Sequence, residues 1–306
     1  MVAECFRYKM QVFFFAIIIV VGLKCSQAFC APPFMNIEGV GGAGIVPGAY
    51  LVNPPDDEKS IGTPAFSQWS IIGGNNNIYT FGAAFSFANR FELGYVIEIN
   101  DFRRLRHDLR RDSNGTLDVE KPTIFMSNIH FKALLVEEKE YFPAFAFTSE
   151  LKLNHTIDTM NNNIGHALDT VGYDDNKAID FDFSFTKSIK ELFYFPCMIN
   201  ANLRLTRGHY LGFLGFSSDY TANGELSVCF MPNSKFAFGA EVRQQNDDFD
   251  PLPLNGYTMK EDAFWDVFVA FFPNQKFSLA LAFCRFGNIV NEDINFFVCN
   301  LKYDFN

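Results

Sequence analysis

Fifteen ionisable residues share one property: each falls on the polar side of a two-residue alternation. They are Glu92, Glu98, His130, Lys132, Glu150, Lys152, Asp180, Asp182, Arg204, Glu225, Glu241, Arg243, Asp266, Lys302 and Asp304. Carboxylates, ammonium groups and guanidinium groups gathered on one face of a curved sheet suit a polar passage or a solute-binding lumen. The same set suits a small barrel filled by its own paired side chains, because buried charges must be paired and hydrogen-bonded. Both readings stand at this point.

The elements that position these residues are strands. From Tyr79 the odd positions read Tyr79, Phe81, Ala83, Phe85 and Phe87, and after a tight turn at 88–90 they resume as Phe91, Leu93, Tyr95, Ile97 and Ile99. Between them lie Glu92, Gly94, Val96, Glu98 and Asn100, so one face is apolar and the other largely polar. The pattern recurs where Ile179, Phe181, Phe183 and Phe185 alternate with Asp180, Asp182, Ser184 and Thr186. Counting such runs predicts twelve strands, at 65–73, 77–87, 91–101, 124–136, 142–153, 178–187, 194–207, 222–231, 236–246, 260–271, 277–287 and 295–305. Runs of about 10 residues are what a tilted strand needs to cross a hydrocarbon layer. Turns near 88–90, 137–141, 188–193, 232–235 and 273–276 are short, whereas 102–123, 154–177, 208–221 and 247–259 are long and polar, which is the outer-membrane arrangement. The expected fold is therefore all-β, a single antiparallel transmembrane β-barrel of about twelve strands. Phe makes up 38 of 306 residues, and a lipid-facing belt accounts for them without a second covering layer.

The chain ends fit export. Arg7 and Lys9 precede an apolar run from Val12 to Leu23, followed by Ser26, Gln27 and Ala28, so residues 1–30 read as a signal peptide cut after Ala28 or Cys30. Removing residues 1–28, net +2 from Arg7, Lys9 and Lys24 against Glu4, takes the formal charge from −10 to −12. An acidic chain argues against nucleic acid as a partner. The expected surroundings are outer-membrane lipid and lipopolysaccharide, the barrel-assembly machinery and small solutes. Cys197, Cys229, Cys284 and Cys299 are too scattered for a disulfide framework. Residues 31–64 hold too many glycines and prolines for a long helix; a plug entering the lumen of the 65–306 barrel, a periplasmic leader and an added strand are all compatible with them.

Several stretches carry a family resemblance: Ile37-Glu38-Gly39 through the glycine-rich run to Pro47, Asn202 to Arg207 followed by Gly212-Phe213-Leu214-Gly215-Phe216, Asp262 to Ala270, and Gly287-Asn288-Ile289-Val290. Over essentially the whole mature chain the sequence resembles a family of bacterial outer-membrane-type β-barrel proteins described only as a domain of unknown function. The resemblance implies an envelope barrel and supplies no substrate or catalytic residue.

Enzymatic readings are weaker. Ser113-Asn114-Gly115 is similar to the serine motif of outer-membrane lipid hydrolases, but Arg111 stands where that motif needs His, and the tetrapeptide from Asp112 reads as a turn. His155 and His166, with Asp158, Asp169, Asp174 and Asp175, lack compact metal-ligand spacing. No nucleotide loop, Gly-x-Ser-x-Gly elbow or Cys-x-x-Cys pair is present, and no cofactor is expected. The loop 101–120 carries Arg103, Arg104, Arg106, Arg110 and Arg111, a phosphate-binding composition diluted by Asp101, Asp108 and Asp112. The functional expectation is a porin-like or small-solute channel, with a non-conducting structural or surface-interaction barrel as the alternative.

Overall fold

The computed structural model describes residues 34–56, 58–74, 76–116, 118–192, 194–245, 262–289 and 292–305. The expected signal peptide lies outside the described residues, as does the expected loop 247–259. Two short strands, β1 (Phe34–Met35) and β2 (Gly41–Gly42), pair with each other. Twelve more follow: β3 (Ala65–Gly73), β4 (Asn76–Phe87), β5 (Phe91–Asp101), β6 (Thr123–Val136), β7 (Ala144–Asn154), β8 (Lys177–Leu192), β9 (Phe195–Gly208), β10 (Phe216–Asn233), β11 (Phe236–Arg243), β12 (Phe264–Phe271), β13 (Phe277–Ile289) and β14 (Glu292–Asp304). These twelve close into an antiparallel barrel, each paired with its neighbours in sequence and β14 pairing back onto β3.

Alternation builds the wall. In β12, Trp265, Val267, Val269 and Phe271 point out while Phe264, Asp266, Phe268 and Ala270 point in. Strand β14 likewise sends Phe297, Leu301 and Tyr303 outward and Val298, Asn300, Lys302 and Asp304 inward, and Phe305 just beyond it is exposed. The outer face carries a band of exposed apolar residues that includes Phe81, Leu93, Ile129, Phe238, Val267 and Leu281.

The strand boundaries differ from the sequence-based ones mainly at three hairpins. β8 runs to Leu192 and consumes most of the expected turn 188–193, with a register shift between Ile189 and Leu192 absorbing the irregularity. β10 starts at Phe216, so the expected loop 208–221 shrinks to 209–215; a register shift between Phe216 and Thr221 hides the alternation there. β12 starts at Phe264, not near 260. The polar loop after β5 contains a helix, α1 (Arg103–Asp112), and that after β7 contains α2 (Ile157–Asn163).

At the long-loop end the barrel is capped by an apolar cluster. Phe102, Ile157, Met160, Tyr210, Phe213 and Phe216 pack with inward-facing Phe264, Phe286 and Phe296. Tyr210 and Leu211 both have positive φ, 47° and 63°, which costs on the order of 1–3 kcal/mol each and is held by this packing. Asn154 fixes the same turn by donating to the carbonyls of Gly212 (2.9 Å) and Phe213 (3.1 Å).

A plugged, charged lumen

Register turns the inward parity into a charge ladder around the wall. Glu92 on β5 lies opposite Lys132 on β6, His130 opposite Glu150 on β7, Glu150 opposite Asp180 on β8, and Asp182 opposite Arg204 on β9. Farther round, Glu225 on β10 faces Arg243 on β11, and Glu241 faces Asp266 on β12. Lys302 and Asp304 pair with each other on β14, and Glu98 takes a hydrogen bond from Asn128. All fifteen residues singled out above point inward and are buried, Asp266 being the most exposed at 5%.

What buries them is the chain's own N-terminal segment. Residues 34–52 lie inside the barrel, with Phe34, Met35, Ile37, Val40, Ile45, Val46, Leu51 and Val52 all buried. Of the three arrangements compatible with this segment, the structure has the plug. Phe34 sits near the short-turn rim against Phe268 and Phe272, Ile37 and Ile45 reach the apolar cap, and Asn53 returns to the same rim, where it donates to Asp304 at 2.7 Å.

Three carboxylates carry most of the polar attachment. Glu38 receives Lys152 Nζ at 2.5 Å, the Arg204 Nη1 and Nη2 groups at 3.1 and 2.8 Å, and Arg243 Nη2 at 2.9 Å. Burial would push the Glu38 carboxyl up, but Arg204, Arg243 and Lys152 more than offset this and hold it well below the usual carboxylate range. On the wall, Glu92 accepts the backbone N–H groups of Gly41 (2.9 Å) and Val52 (2.7 Å), with His130 Nε2 at 3.1 Å. Glu241 accepts three successive N–H groups, from Gly44 (2.5 Å), Ile45 (3.1 Å) and Val46 (2.8 Å). Lys132 completes the set by donating to the carbonyls of Gly41 (2.7 Å) and Tyr50 (3.1 Å).

Two glycines make this approach possible. Gly39 has φ of +85°, and a Cβ there would overlap the Val96 Cγ2 methyl on β5. Gly44 comes so near that an added Cβ would lie 2.8 Å from Glu241 Oε1. Among the described residues, two cavities between segment and wall measure about 20 Å3 beside Trp69 and Phe286 and about 10 Å3 beside Asn200. Each has room for a water molecule and none for a solute.

The remaining candidate residues are dispersed. His155 Nε2 meets Ser127 Oγ at 2.8 Å, while His166 Nδ1 meets Asp169 at 3.1 Å, so the two histidines serve separate contacts. Ser113 precedes a turn in which Asn114 and Gly115 both have positive φ. On and around α1, Arg106 pairs with Asp118 at 2.8 Å, Arg110 with Asp118 at 3.4 Å and Arg103 with Asp101 at 2.7 Å, which spends part of the basic character locally. The four described cysteines are free. Sequence reasoning missed Glu38, whose signal was nonetheless present: it is the one charged residue between 31 and 55.

A family model described as "Protein of unknown function (DUF3034)" matches residues 31–295. No curated protein matches the sequence significantly. Among solved structures, the barrel is similar to a KdgM porin (TM-score 0.48, 6% identity, 79% of this chain and 99% of that one). It is also similar to the outer membrane protein Omp33 of Acinetobacter baumannii (0.43, 12%, 79% and 98%) and the outer membrane phospholipase A of Escherichia coli (0.40, 6%, 79% and 92%). Likeness at this level adds nothing to the architecture that the strand pairing already shows.

Proposed function

The chain belongs to the DUF3034 family, and we propose that it is a porin-like barrel of the bacterial outer membrane that its own N-terminal segment keeps closed at rest. Solute passage then waits on displacement of that segment. Membrane insertion is supported by the outward apolar band: Val269, Leu281 and Phe297 are 57%, 51% and 74% exposed, a pattern a water-soluble monomer rarely tolerates around its whole girth. Among the described residues no helix is long and apolar enough to cross a membrane. An even strand number brings both ends of the barrel to the short-turn rim, the periplasmic side of such barrels.

The observation that carries the closed state is the burial of residues 34–52 across the lumen. The observation that favours a passage is the wall itself. It carries five cations, Lys132, Lys152, Arg204, Arg243 and Lys302, against nine carboxylates among the fifteen inward residues, a formal balance of −4 with His130 neutral. A wall of that composition is wettable, and once wetted it favours cations.

Planar-bilayer recording tests the reading. The full chain shows long silent intervals with rare, discrete, cation-preferring steps, and a variant with a loosened segment spends more time open. Replacing Asp180 and Asp182 by Asn halves the wall's negative balance and lowers the cation preference. One result favours the second reading, a permanently closed structural barrel sealed also by the Tyr210 and Phe213 cap: a variant whose segment is demonstrably released to protease yet remains electrically silent.

A further inference from the structure

The arrangement around Glu38 resembles a receptor more than a strut. Arg204 turns its Nε toward the wall, hydrogen-bonding Glu225 at 2.9 Å and lying 3.1 Å from Asp182, while its two terminal nitrogens form a fork on Glu38. Arg243 repeats the posture, with Nε 2.9 Å from Glu225 and Nη2 on Glu38. Lys152 lies 2.9 Å from Asp180 and donates its remaining reach to the same carboxylate. Wall acids therefore aim three cations from β7, β9 and β11 at one point in the lumen. A planar guanidinium fork held in place before its partner arrives is the geometry that binds carboxylates well.

Glu38 reaches that point from 114, 166 and 205 residues away in sequence, on a segment joined to the wall through residues 53–64, which lead into β3. We propose that Lys152, Arg204 and Arg243 form a carboxylate-binding site that Glu38 occupies as an internal ligand, and that a solute carboxylate takes the same place when the segment leaves. This rests on the closed-at-rest reading. Glu150, Asp180, Asp182 and Glu225 flank the site, so monocarboxylates with a neutral or cationic remainder suit it, and polyanions do not. Beyond it, Glu92 and Glu241 accept N–H donors from the segment, the contacts an amide- or ammonium-bearing remainder supplies.

Chemical complementation tests the site without requiring conduction. Glu38→Ala removes the atoms of one acetate, leaving a vacancy of that shape beside three cations. The full-length E38A chain is refolded in detergent with acetate, acetamide or chloride at equal ionic strength, and heat-dependent gel migration is read. Acetate at ten times its Kd raises the folded-to-unfolded ratio about elevenfold, whereas acetamide and chloride do not, and E38Q, with the vacancy filled, does not respond. Equal responses to all three additives overturn the proposal. Should E38A fold in none of them, the unaltered chain decides: protease release of residues 34–52 that is faster in acetate than in chloride supports competition for the site, and equal rates overturn it. A complemented E38A that never conducts, even with its segment released, would remove the channel reading and leave the site standing. Conduction without complementation would do the reverse.

Discussion

Replacing Gly39 by Ala probes the plug at its tightest point, and the structure divides the expected cost into two parts. The backbone there has φ of +85°, which any residue with a Cβ adopts at about 1–2 kcal/mol. The new methyl also overlaps Val96 Cγ2, an overpacking that costs about 1–3 kcal/mol. Together they weaken closure by about 2–5 kcal/mol. Val96→Ala removes only the second part, because the next atom, Val96 Cβ, lies at an ordinary 3.5 Å from the added carbon. Alone, Val96→Ala loses about 1.6 kcal/mol of buried methyl surface. The double variant is therefore better off than the sum of the two singles by about 1–3 kcal/mol. A broad-specificity protease reads the difference in detergent-folded protein: when opening is fast relative to cleavage, the rate of loss of the segment follows the open population. G39A speeds it roughly 30-fold or more, and the double variant is cleaved more slowly than the product of the two single effects requires. A coupling below about 0.5 kcal/mol, the range expected of independent sites, would refute the packing of Gly39 against Val96 of β5.

Two further outcomes follow from other parts of the molecule. Leu281→Arg, on the outward face of β13, costs about 2–4 kcal/mol if that face meets lipid at mid-depth; refolding yield in vesicles checks this, and an unchanged yield would contradict membrane insertion. His209, in the turn after β9, is buried and its imidazole is pushed down to about 4 from 6.5 by that burial. Between those values the unfolded chain binds a proton that the folded chain refuses, so stability falls as pH drops through 6.5 and levels off below about 4. The loss amounts to about 3 kcal/mol. His209→Gln removes this component of the acid dependence, measurable as the difference between variant and parent unfolding midpoints from pH 7 to 4.5.

The wall was legible because parity is local. Once Ile179 to Phe185 are assigned outward, Asp180 and Asp182 have no choice but to face inward, and the same argument places Glu92, Lys132 and Arg243. It weakens where registers shift, as they do in β8 and β10, two of the three strands whose ends differ from the sequence reading. Which inward charges meet was not legible, since it depends on stagger between strands and on a segment of no fixed period. The run from Phe34 to Val52 contains neither a two-residue nor a helical repeat; its buried state is specified by wall residues 40 to 205 positions away. A lone charge in a glycine-rich apolar stretch was the available sign, because a carboxylate buried there must find cations elsewhere.

Charge counting alone would expel the plug. Three cations already face four wall carboxylates, and Glu38 is a fifth. Geometry holds it instead: the Nε groups of Arg204 and Arg243 face Glu225, Arg204 Nη1 is shared between Glu38 at 3.1 Å and Asp180 at 3.5 Å, and the Nη2 groups of both arginines turn to Glu38. Backbone donors then satisfy Glu92 and Glu241, which lie away from that cluster. If the segment withdrew with no water following, both carboxylates would lose these donors inside the wall, at about 1–3 kcal/mol or more for each. Displacement and wetting are thus one event. A lumen that opens must fill as it opens, and the polar side of the alternation is what makes it fillable.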